Sequence, residues 1–183
     1  MDSAKKALKY KPLGNPNYLF GDIKLHPKKK FVSLRNALPV WPYGTVPYKI
    51  HPHLGRTGGE QALSLGYGCL FKGTIIHELI HALGFHHEQN RSDRDEFVTV
   101  FYDRIKAKEK YAFRRLAPNK NRLLSPYDYH SMMHYASDAF SKDGRDTMIA
   151  KKEGIKLVDP ATRTKLSQFD IIKISRLYRC SFN

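Results

Sequence analysis

The stretch HELIHALGFHHEQNRSDRD, residues 77–95, decides the fold because it places four histidines on and just after an apolar helical pattern. The apolar residues of this pattern recur with helical spacing and form one face, made of Ile75, Ile76, Leu79, Ile80 and Leu83. Thr74 is the predicted N-cap of this helix, and Gly84 is its predicted stop. The sequence therefore predicts a core helix that has one apolar face and also carries the polar residues of the histidine motif.

The histidines of this helix have the spacing of metal ligands. His77 and His81 lie four residues apart, so both imidazoles project to the same side of the helix, one turn apart. Gly84 allows the chain to leave the helix in a left-handed conformation, after which His87 can supply a third nitrogen. Three imidazoles leave one position open on a tetrahedral zinc ion, as in a catalytic site. One Zn²⁺ per chain is the predicted cofactor.

Glu78 follows the first predicted ligand and is the predicted general base, because it points near the open metal position without binding the ion. The short motif H-E-x-x-H also occurs on helices without a metal, where a lone histidine is more often a packed core residue. The full spacing H-E-x-x-H-x-x-G-x-x-H constrains five positions and strongly favours the metal site. His86 is predicted to be a packing residue and not a ligand.

Residues 77–95 closely resemble the zinc-binding signature of the astacin metallopeptidases, a branch of the metzincins. Further stretches that resemble the family are RNALPVWPYGTVPYKI (35–50), SPYDYHSMMHY (125–135) and LSQFDIIKISRLYRC (166–180). The resemblance implies a zinc-dependent metalloendopeptidase that acts on proteins or peptides. It also implies an α+β, zincin-like fold, with a small mixed sheet, the zinc-binding helix and a mostly irregular C-terminal subdomain that ends in a helix.

The resemblance also implies roles for two residues of SMMHY, residues 131–135. Met133 would be the methionine of the turn beneath the metal, a soft apolar floor under the three histidines. Tyr135 would be an additional, displaceable zinc ligand whose phenol donates to the developing oxyanion. On sequence alone both residues would be ordinary core residues.

Residues 1–35 are predicted to be a leader, and residues 36–183 are predicted to form the peptidase domain. The leader segment NYLFGDIKL (17–25) resembles the family's propeptide motif F-x-G-D, which implies that Asp22 occupies the zinc and keeps the zymogen silent. Leu19 stands where the motif has phenylalanine. The alternative is a plain turn built on Gly21 and Asp22.

Glu88 directly follows the third predicted ligand. The resemblance implies that cleavage after Arg35 frees an amino terminus at Asn36, which is then buried beside Glu88. A buried carboxylate needs a partner, which makes this placement physically reasonable. From the sequence, Arg91 and Arg94 are equally good partners for Glu88.

The chain lacks a segment that the resemblance implies. Family members carry a long helix and further strands, a few tens of residues, between residues matching KIHPHL (49–54) and those matching the predicted edge strand Gln61–Leu65. We therefore predict an amino-terminal subdomain that is shortened after about residue 54. The two cysteines, Cys69 and Cys180, match half-cystines whose partners would lie in the absent segment, so both are expected to be free thiols.

The net charge of +15 is divided between the leader and the domain. Residues 1–35 hold nine Lys and Arg against two Asp, which gives +7, and the remaining residues contribute +8. The basic run Lys28–Lys30 has no interleaved aromatic residues, and residues 104–117 are predicted to be a basic-faced surface helix. Neither resembles a base-reading module, so no specific nucleic-acid partner is predicted.

No apolar run reaches the roughly 18 residues that a membrane span requires. The amino terminus shows no apolar core of a signal peptide, so secretion is implied by the resemblance and not by this segment. We expect a monomer. Two other functions compete with the endopeptidase: a truncated pseudo-peptidase that binds zinc but is inactive, and a basic protein that binds polyanions.

Overall fold

The computed structural model describes residues 71–180 and, in the leader, the backbone of Tyr18–Leu19 (β1) and Ile23–Lys24 (β2). These two short strands pair antiparallel, with Tyr18 opposite Lys24 and Leu19 opposite Ile23. The predicted mixed sheet and edge strand of the amino-terminal subdomain lie outside the described residues, as do Asp22, Asn36 and Cys69.

Helix α1, Lys72–Ala82, carries the first part of the histidine motif. It begins earlier than predicted, because Phe71 is the N-cap and its carbonyl accepts the Ile75 N–H at 3.0 Å. The prediction of Thr74 as N-cap is therefore wrong, and Thr74 is buried in the first turn. The stop is confirmed, since Gly84 has a φ of 101°, a conformation that favours glycine.

The first turn of α1 packs closely against the 3-10 turn Pro160–Thr162. A Cβ atom placed on Gly73 would collide with the Pro160 carbonyl oxygen and lie 2.6 Å from that of Arg163. Both neighbours are backbone atoms, which move less easily than the end of a flexible side chain. Glycine at position 73 therefore allows this approach of helix and turn.

We expect Gly73→Ala to lower the free energy of unfolding by about 1–3 kcal/mol, because the added methyl group overpacks a rigid contact. Urea unfolding followed by circular dichroism measures this loss. Lys72→Ala is the matched control: Lys72 is exposed on the same helix, and its replacement should change stability by less than about 0.5 kcal/mol. Equal stability of the two variants would contradict the close contact.

The remaining described chain is mostly irregular and ends in a helix. Strands β3, Val98–Val100, and β4, Met148–Ala150, pair antiparallel with Thr99 opposite Ile149. Helix α2, Gln168–Tyr178, starts with a capping box, in which Ser167 and Asp170 each bond the other's backbone N–H. The α+β class and the terminal helix of the predicted fold are thus confirmed.

The predicted surface helix over residues 104–117 is wrong. The segment forms a 3-10 helix over Ala107–Phe113 only. Its first residues instead pair with a later strand-like segment: Lys142 N–H donates to the Arg104 carbonyl, and Lys106 N–H donates to the Phe140 carbonyl. These backbone groups are therefore not available to an α-helix.

Two apolar clusters support the site. The larger one contains nine buried residues, namely Val98, Ile105, Ala112, Phe113, Tyr127, Tyr135, Phe140, Met148 and Leu157. The smaller one joins Ile80 of α1 to Met132 and Met133. The segment 131–135 therefore contributes to both clusters and lies between α1 and the rest of the described chain.

Neither helix in the described part of the chain has the length and apolar character needed to cross a bilayer. Cys180 is exposed and makes no disulfide, which agrees with the predicted free thiol.

Candidate metal centre and active site

His77, His81 and His87 meet in a buried cluster, as the motif predicted. Their candidate ligand nitrogens all lie within 4.8 Å of one another. The Nε2 atom of His87 lies 3.1 Å from that of His77 and 3.2 Å from that of His81. Each side chain is at most 5% exposed, so the cluster is screened from bulk water. Within residues 71–180 these three histidines form the group suited to hold a metal ion.

Backbone carbonyls fix the orientation of two of the rings. The Nδ1 atom of His77 lies 2.8 Å from the Met132 carbonyl oxygen, and that of His81 lies 2.7 Å from the Phe85 carbonyl oxygen. A carbonyl oxygen only accepts, so each Nδ1 carries the proton. In the neutral ring Nε2 then keeps its lone pair, and both lone pairs point into the cluster.

This donor set fits zinc. Zinc–nitrogen bonds of about 2.0–2.1 Å at tetrahedral angles place neighbouring ligand nitrogens about 3.3 Å apart. The Nε2 separations of 3.1 and 3.2 Å around His87 are close to that value. Converging nitrogen lone pairs repel one another, and a cation between them removes this repulsion. The three histidines are therefore the residues that hold the Zn²⁺ cofactor.

Glu78 and Tyr135, the predicted catalytic residues, are both buried close to the cluster. Glu78 is 4% exposed and follows His77 on α1. The Tyr135 ring lies with its centroid 4.5 Å from that of His87, at an angle of 49°. Phe113 and Phe140 pack edge-on against the same ring and limit its movement. Tyr135 thus contacts one of the three histidines through its ring, and Glu78 is buried next to another of them in the sequence.

The backbone of Met132 and Met133 contacts both ligand-bearing segments. The Met132 carbonyl orients His77, and the Met133 carbonyl accepts the Glu88 N–H at 2.8 Å. The Met133 side chain is 1% exposed and packs with Ile80, on α1. The turn thus holds the site mainly through main-chain atoms, a role that the side-chain motif does not reveal.

Glu88 lies in a buried charge cluster with Arg91 and Lys173. Its carboxylate accepts from Arg91 Nη1 at 2.7 Å, from Lys173 Nζ at 2.8 Å and from the Asp128 N–H at 3.0 Å. The predicted partner Arg91 is confirmed. Arg94 is the wrong alternative, because its guanidinium instead bonds the side chain of Asp95.

Lys173 also contacts Asp170, with Nζ 3.1 Å from Oδ1. Burial alone would lower the pKa of Lys173, but the charges of Glu88 and Asp170 outweigh it and raise this pKa. Burial would raise the pKa of Asp170, but Lys173 and hydrogen bonds to Met132 and Ser131 lower it. The pair is therefore charged, and losing one partner of such a buried pair costs about 3–5 kcal/mol.

His134 and Gln89 hold the main chain of Tyr135. The Gln89 side-chain oxygen accepts the Tyr135 N–H at 3.2 Å. His134 Nδ1 donates to the Tyr135 carbonyl at 2.8 Å, and its Nε2 accepts from the Tyr127 hydroxyl at 2.9 Å. Burial lowers the pKa of His134 to about 4, so this histidine is neutral near pH 7.

The sequence did not reveal the supporting roles of Lys173, Asp170, His134 and Gln89, because their partners lie far away in the chain or are main-chain atoms. One local signal existed for Asp170. Ser167 followed three residues later by an acid marks a capping box, and the same acid then bonds the Met132 N–H at 2.8 Å. His86 is not part of the metal group, as predicted.

Comparisons with known proteins agree with this geometry. The family model for Astacin, a family of peptidases, matches residues 51–179. High choriolytic enzyme 1, a hatching enzyme zinc-protease from Oryzias latipes (medaka fish), superimposes with a TM-score of 0.64 at 42% sequence identity. That superposition covers 75% of this chain and 66% of the medaka chain.

Two curated relatives show the same similarity. Zinc metalloproteinase nas-15 of Caenorhabditis elegans is 33% identical over 207 positions, which cover 87% of this chain and 36% of the relative. Astacin-like metalloprotease toxin 1 of Loxosceles intermedia is 45% identical over 125 positions, which cover 67% of this chain and 47% of the relative. The chain thus spans 36% and 47% of the lengths of these two relatives.

The match to nas-15 includes positions that have no residue of this chain opposite them. It runs over 207 positions but includes about 159 residues of this chain, which is 87% of 183. About 48 positions of the match therefore have no counterpart in this chain.

Proposed function

Because the chain belongs to the astacin family of peptidases, we propose that it is a zinc-dependent endopeptidase that hydrolyses peptide bonds in proteins or peptides. The observation that carries this proposal is the convergence of three buried imidazole nitrogens next to Glu78. The names of the relatives support it, since they describe zinc metalloproteinases and a zinc-protease.

The proposed chemistry combines a metal with one carboxylate. Zinc, when bound, supplies a Lewis acid that polarises the substrate carbonyl and makes water more acidic. Glu78 accepts a proton from the attacking water and returns it to the nitrogen of the leaving amine. The water oxygen first adds to the carbonyl carbon and gives a tetrahedral oxyanion, and the carbon–nitrogen bond then breaks as the amine takes the proton, so one water is consumed for each peptide bond.

Tyr135 is the proposed donor to the developing oxyanion. Its ring contact with His87 supports this role because it places the tyrosine at the edge of the metal cluster. Two main-chain hydrogen bonds support it as well, since the Tyr135 N–H donates to Gln89 and His134 donates to the Tyr135 carbonyl, which fixes the backbone from which the phenol extends.

In a chain that also carries Asp22→Ala, we expect Tyr135→Phe to slow peptide hydrolysis by about 100-fold, at the lower end of the loss seen when an oxyanion donor is removed. Zinc content should remain at that of the unchanged chain, because the three histidines are untouched. Tyr102→Phe is the control, since the Tyr102 hydroxyl bonds the Phe113 carbonyl at 2.7 Å in a structural role. An unchanged rate in Tyr135→Phe would remove its catalytic role.

The leader is proposed to inhibit the enzyme. Residues 1–35 form the leader and residues 36–183 the peptidase domain, with Asp22 as the carboxylate that occupies the zinc in the zymogen. The antiparallel pairing of β1 and β2, which flank Asp22 in sequence, is compatible with a short inhibitory hairpin. Glu88 borders a cavity, which supports burial of a new terminus there, although Arg91 and Lys173 already bond its carboxylate.

The shortened amino-terminal subdomain also belongs to this proposal. The roughly 48 positions without a counterpart in the match to nas-15 support a deletion of the predicted size. The same deletion is the reason to consider an inactive pseudo-peptidase as the alternative. An assay of casein hydrolysis distinguishes this alternative from an active enzyme. We further propose that the protein is secreted and monomeric, as the family resemblance suggests.

Polyanion binding is not favoured as a second function. The predicted basic surface helix does not form, and the basic run Lys28–Lys30 lies outside the described residues. Within residues 71–180 several cations are bonded to acids, among them Arg91, Arg145 and Lys173.

Casein hydrolysis by the zinc-loaded chain tests the proposal. The assay uses an Asp22→Ala chain, because this change removes the carboxylate that the leader would place on the metal. Hydrolysis that disappears when the metal is removed by a chelator and returns on adding zinc supports an endopeptidase. One zinc per chain without any cleavage would contradict it and favour the inactive pseudo-peptidase.

A further inference from the structure

We propose that Lys173 is a positioning residue of the metal centre, whose buried ammonium group joins the two chain segments that orient His77 and His87. Lys173 touches neither the metal cluster nor the substrate in this proposal, so it acts through other residues. The inference rests on the zinc centre of the proposed function and adds a residue on α2 that the histidine motif does not contain.

One branch of the arrangement leads to His87. Lys173 Nζ lies 2.8 Å from Glu88 Oε2, and Glu88 is the residue directly after His87. The Glu88 N–H also donates to the Met133 carbonyl at 2.8 Å. Glu88 is thus held at its side chain by Lys173 and at its backbone by Met133. The position of His87 follows from that of its neighbour.

The other branch leads to His77. Lys173 Nζ lies 3.1 Å from Asp170 Oδ1 and 3.2 Å from Ser131 Oγ. Asp170 accepts from the Met132 N–H at 2.8 Å, and the Met132 carbonyl accepts from His77 Nδ1 at 2.8 Å. A chain of bonds through one buried carboxylate therefore connects Lys173 to the first ligand.

The burial of these groups makes the connection effective. Lys173 is 7% exposed, Glu88 3% and Asp170 1%, so water does not readily replace a lost partner. Lys173 is flanked by two carboxylates that would repel each other without it. Removing its charge should let both carboxylates move, and the groups that orient His77 and His87 should move with them.

The test compares full-length chains that carry Lys173→Met or Arg176→Met. Methionine removes the charge of Lys173 but retains much of the length of its side chain, and Arg176 is an exposed cation on the same helix. Zinc affinity is measured by competition with a chromophoric chelator. The visible spectrum of the cobalt-substituted protein reports the geometry of the ligands. Circular dichroism of the metal-free proteins confirms that they are folded.

We expect Lys173→Met to weaken zinc binding by about 10- to 100-fold, which is typical for the loss of a supporting partner of metal ligands. The cobalt spectrum should change in intensity or position. Arg176→Met should stay within about twofold of the unchanged chain, as expected of a surface change. A folded Lys173→Met protein with unchanged zinc affinity and an unchanged cobalt spectrum would overturn the proposal.

If Lys173→Met does not fold, the variant Ser131→Ala tests the positioning role of Lys173 instead. It removes one hydroxyl that accepts from Lys173 and donates to Asp170 at 2.6 Å, and it leaves all the charges in place. Zinc binding weaker by about threefold or more supports the connection, and unchanged binding refutes it. Peptidase activity is not a readout here, so a failure of the proposed hydrolysis would be seen separately from a failure of this inference.

Discussion

Glu78→Gln should retain one zinc per chain and lose peptide hydrolysis by about 10²- to 10⁴-fold, the contribution expected of a general acid and base. The amide has nearly the size of the carboxylate, so the buried site should still accept it. It cannot take the proton from water, however, and the attacking oxygen remains a poor nucleophile. Zinc content and casein hydrolysis, measured on the same samples of a chain that also carries Asp22→Ala, check both parts.

The control for this variant is Glu153→Gln, which makes the same chemical change at an exposed position of the chain. In the Asp22→Ala chain it should leave the rate of casein hydrolysis unchanged. If Glu78→Gln kept a near-normal rate, Glu78 would not be the base. If it lost its zinc, the effect on hydrolysis would have to be assigned to the metal.

His81→Ala should lose most of its zinc. His81 is 1% exposed, and its ring is oriented by the Phe85 carbonyl at 2.7 Å, so no mobile side chain replaces it easily. We expect zinc affinity to fall by more than the roughly 10- to 100-fold typical of a lost supporting partner, because a ligand itself is removed. Hydrolysis should fall with the zinc content.

His86→Ala is the matched control for the ligand prediction. His86 stands next to His87 in the sequence but is outside the metal group. Its replacement should leave the zinc content at one per chain, as determined by elemental analysis after dialysis. Full zinc occupancy in His81→Ala, or loss of zinc in His86→Ala, would contradict the ligand set of His77, His81 and His87.

Local patterns in the sequence were sufficient to find the metal centre. The four-residue spacing of His77 and His81 fixes their direction on any α-helix, and the left-handed Gly84 turns the chain so that His87 approaches. These are short-range geometric rules, so they hold without knowledge of the rest of the fold. The identity of the metal ligands could therefore be predicted before the structure.

Long-range contacts were outside the reach of the same reasoning. Lys173 and Glu88 are 85 residues apart, and a lysine in an amphipathic helix is usually a solvated residue. The 104–117 segment was predicted to be a helix from its spacing, but the Arg104 carbonyl, which such a helix would use as an acceptor, accepts the N–H of the distant Lys142 instead. Tertiary contacts, and not local sequence patterns, determine both the burial of Lys173 and the structure of the 104–117 segment.

The 85-residue separation between Glu88 and Lys173 also determines how long after the histidine motif the helix α2 is synthesised. A ribosome adds about 5–20 residues per second, so α2 follows the histidine motif by roughly 4–17 s. During that interval the nascent chain carries all three histidines but not the helix that braces them. In a chain assembled in this order, the contacts of Lys173 with Glu88 and Asp170 form only after α2 has been synthesised.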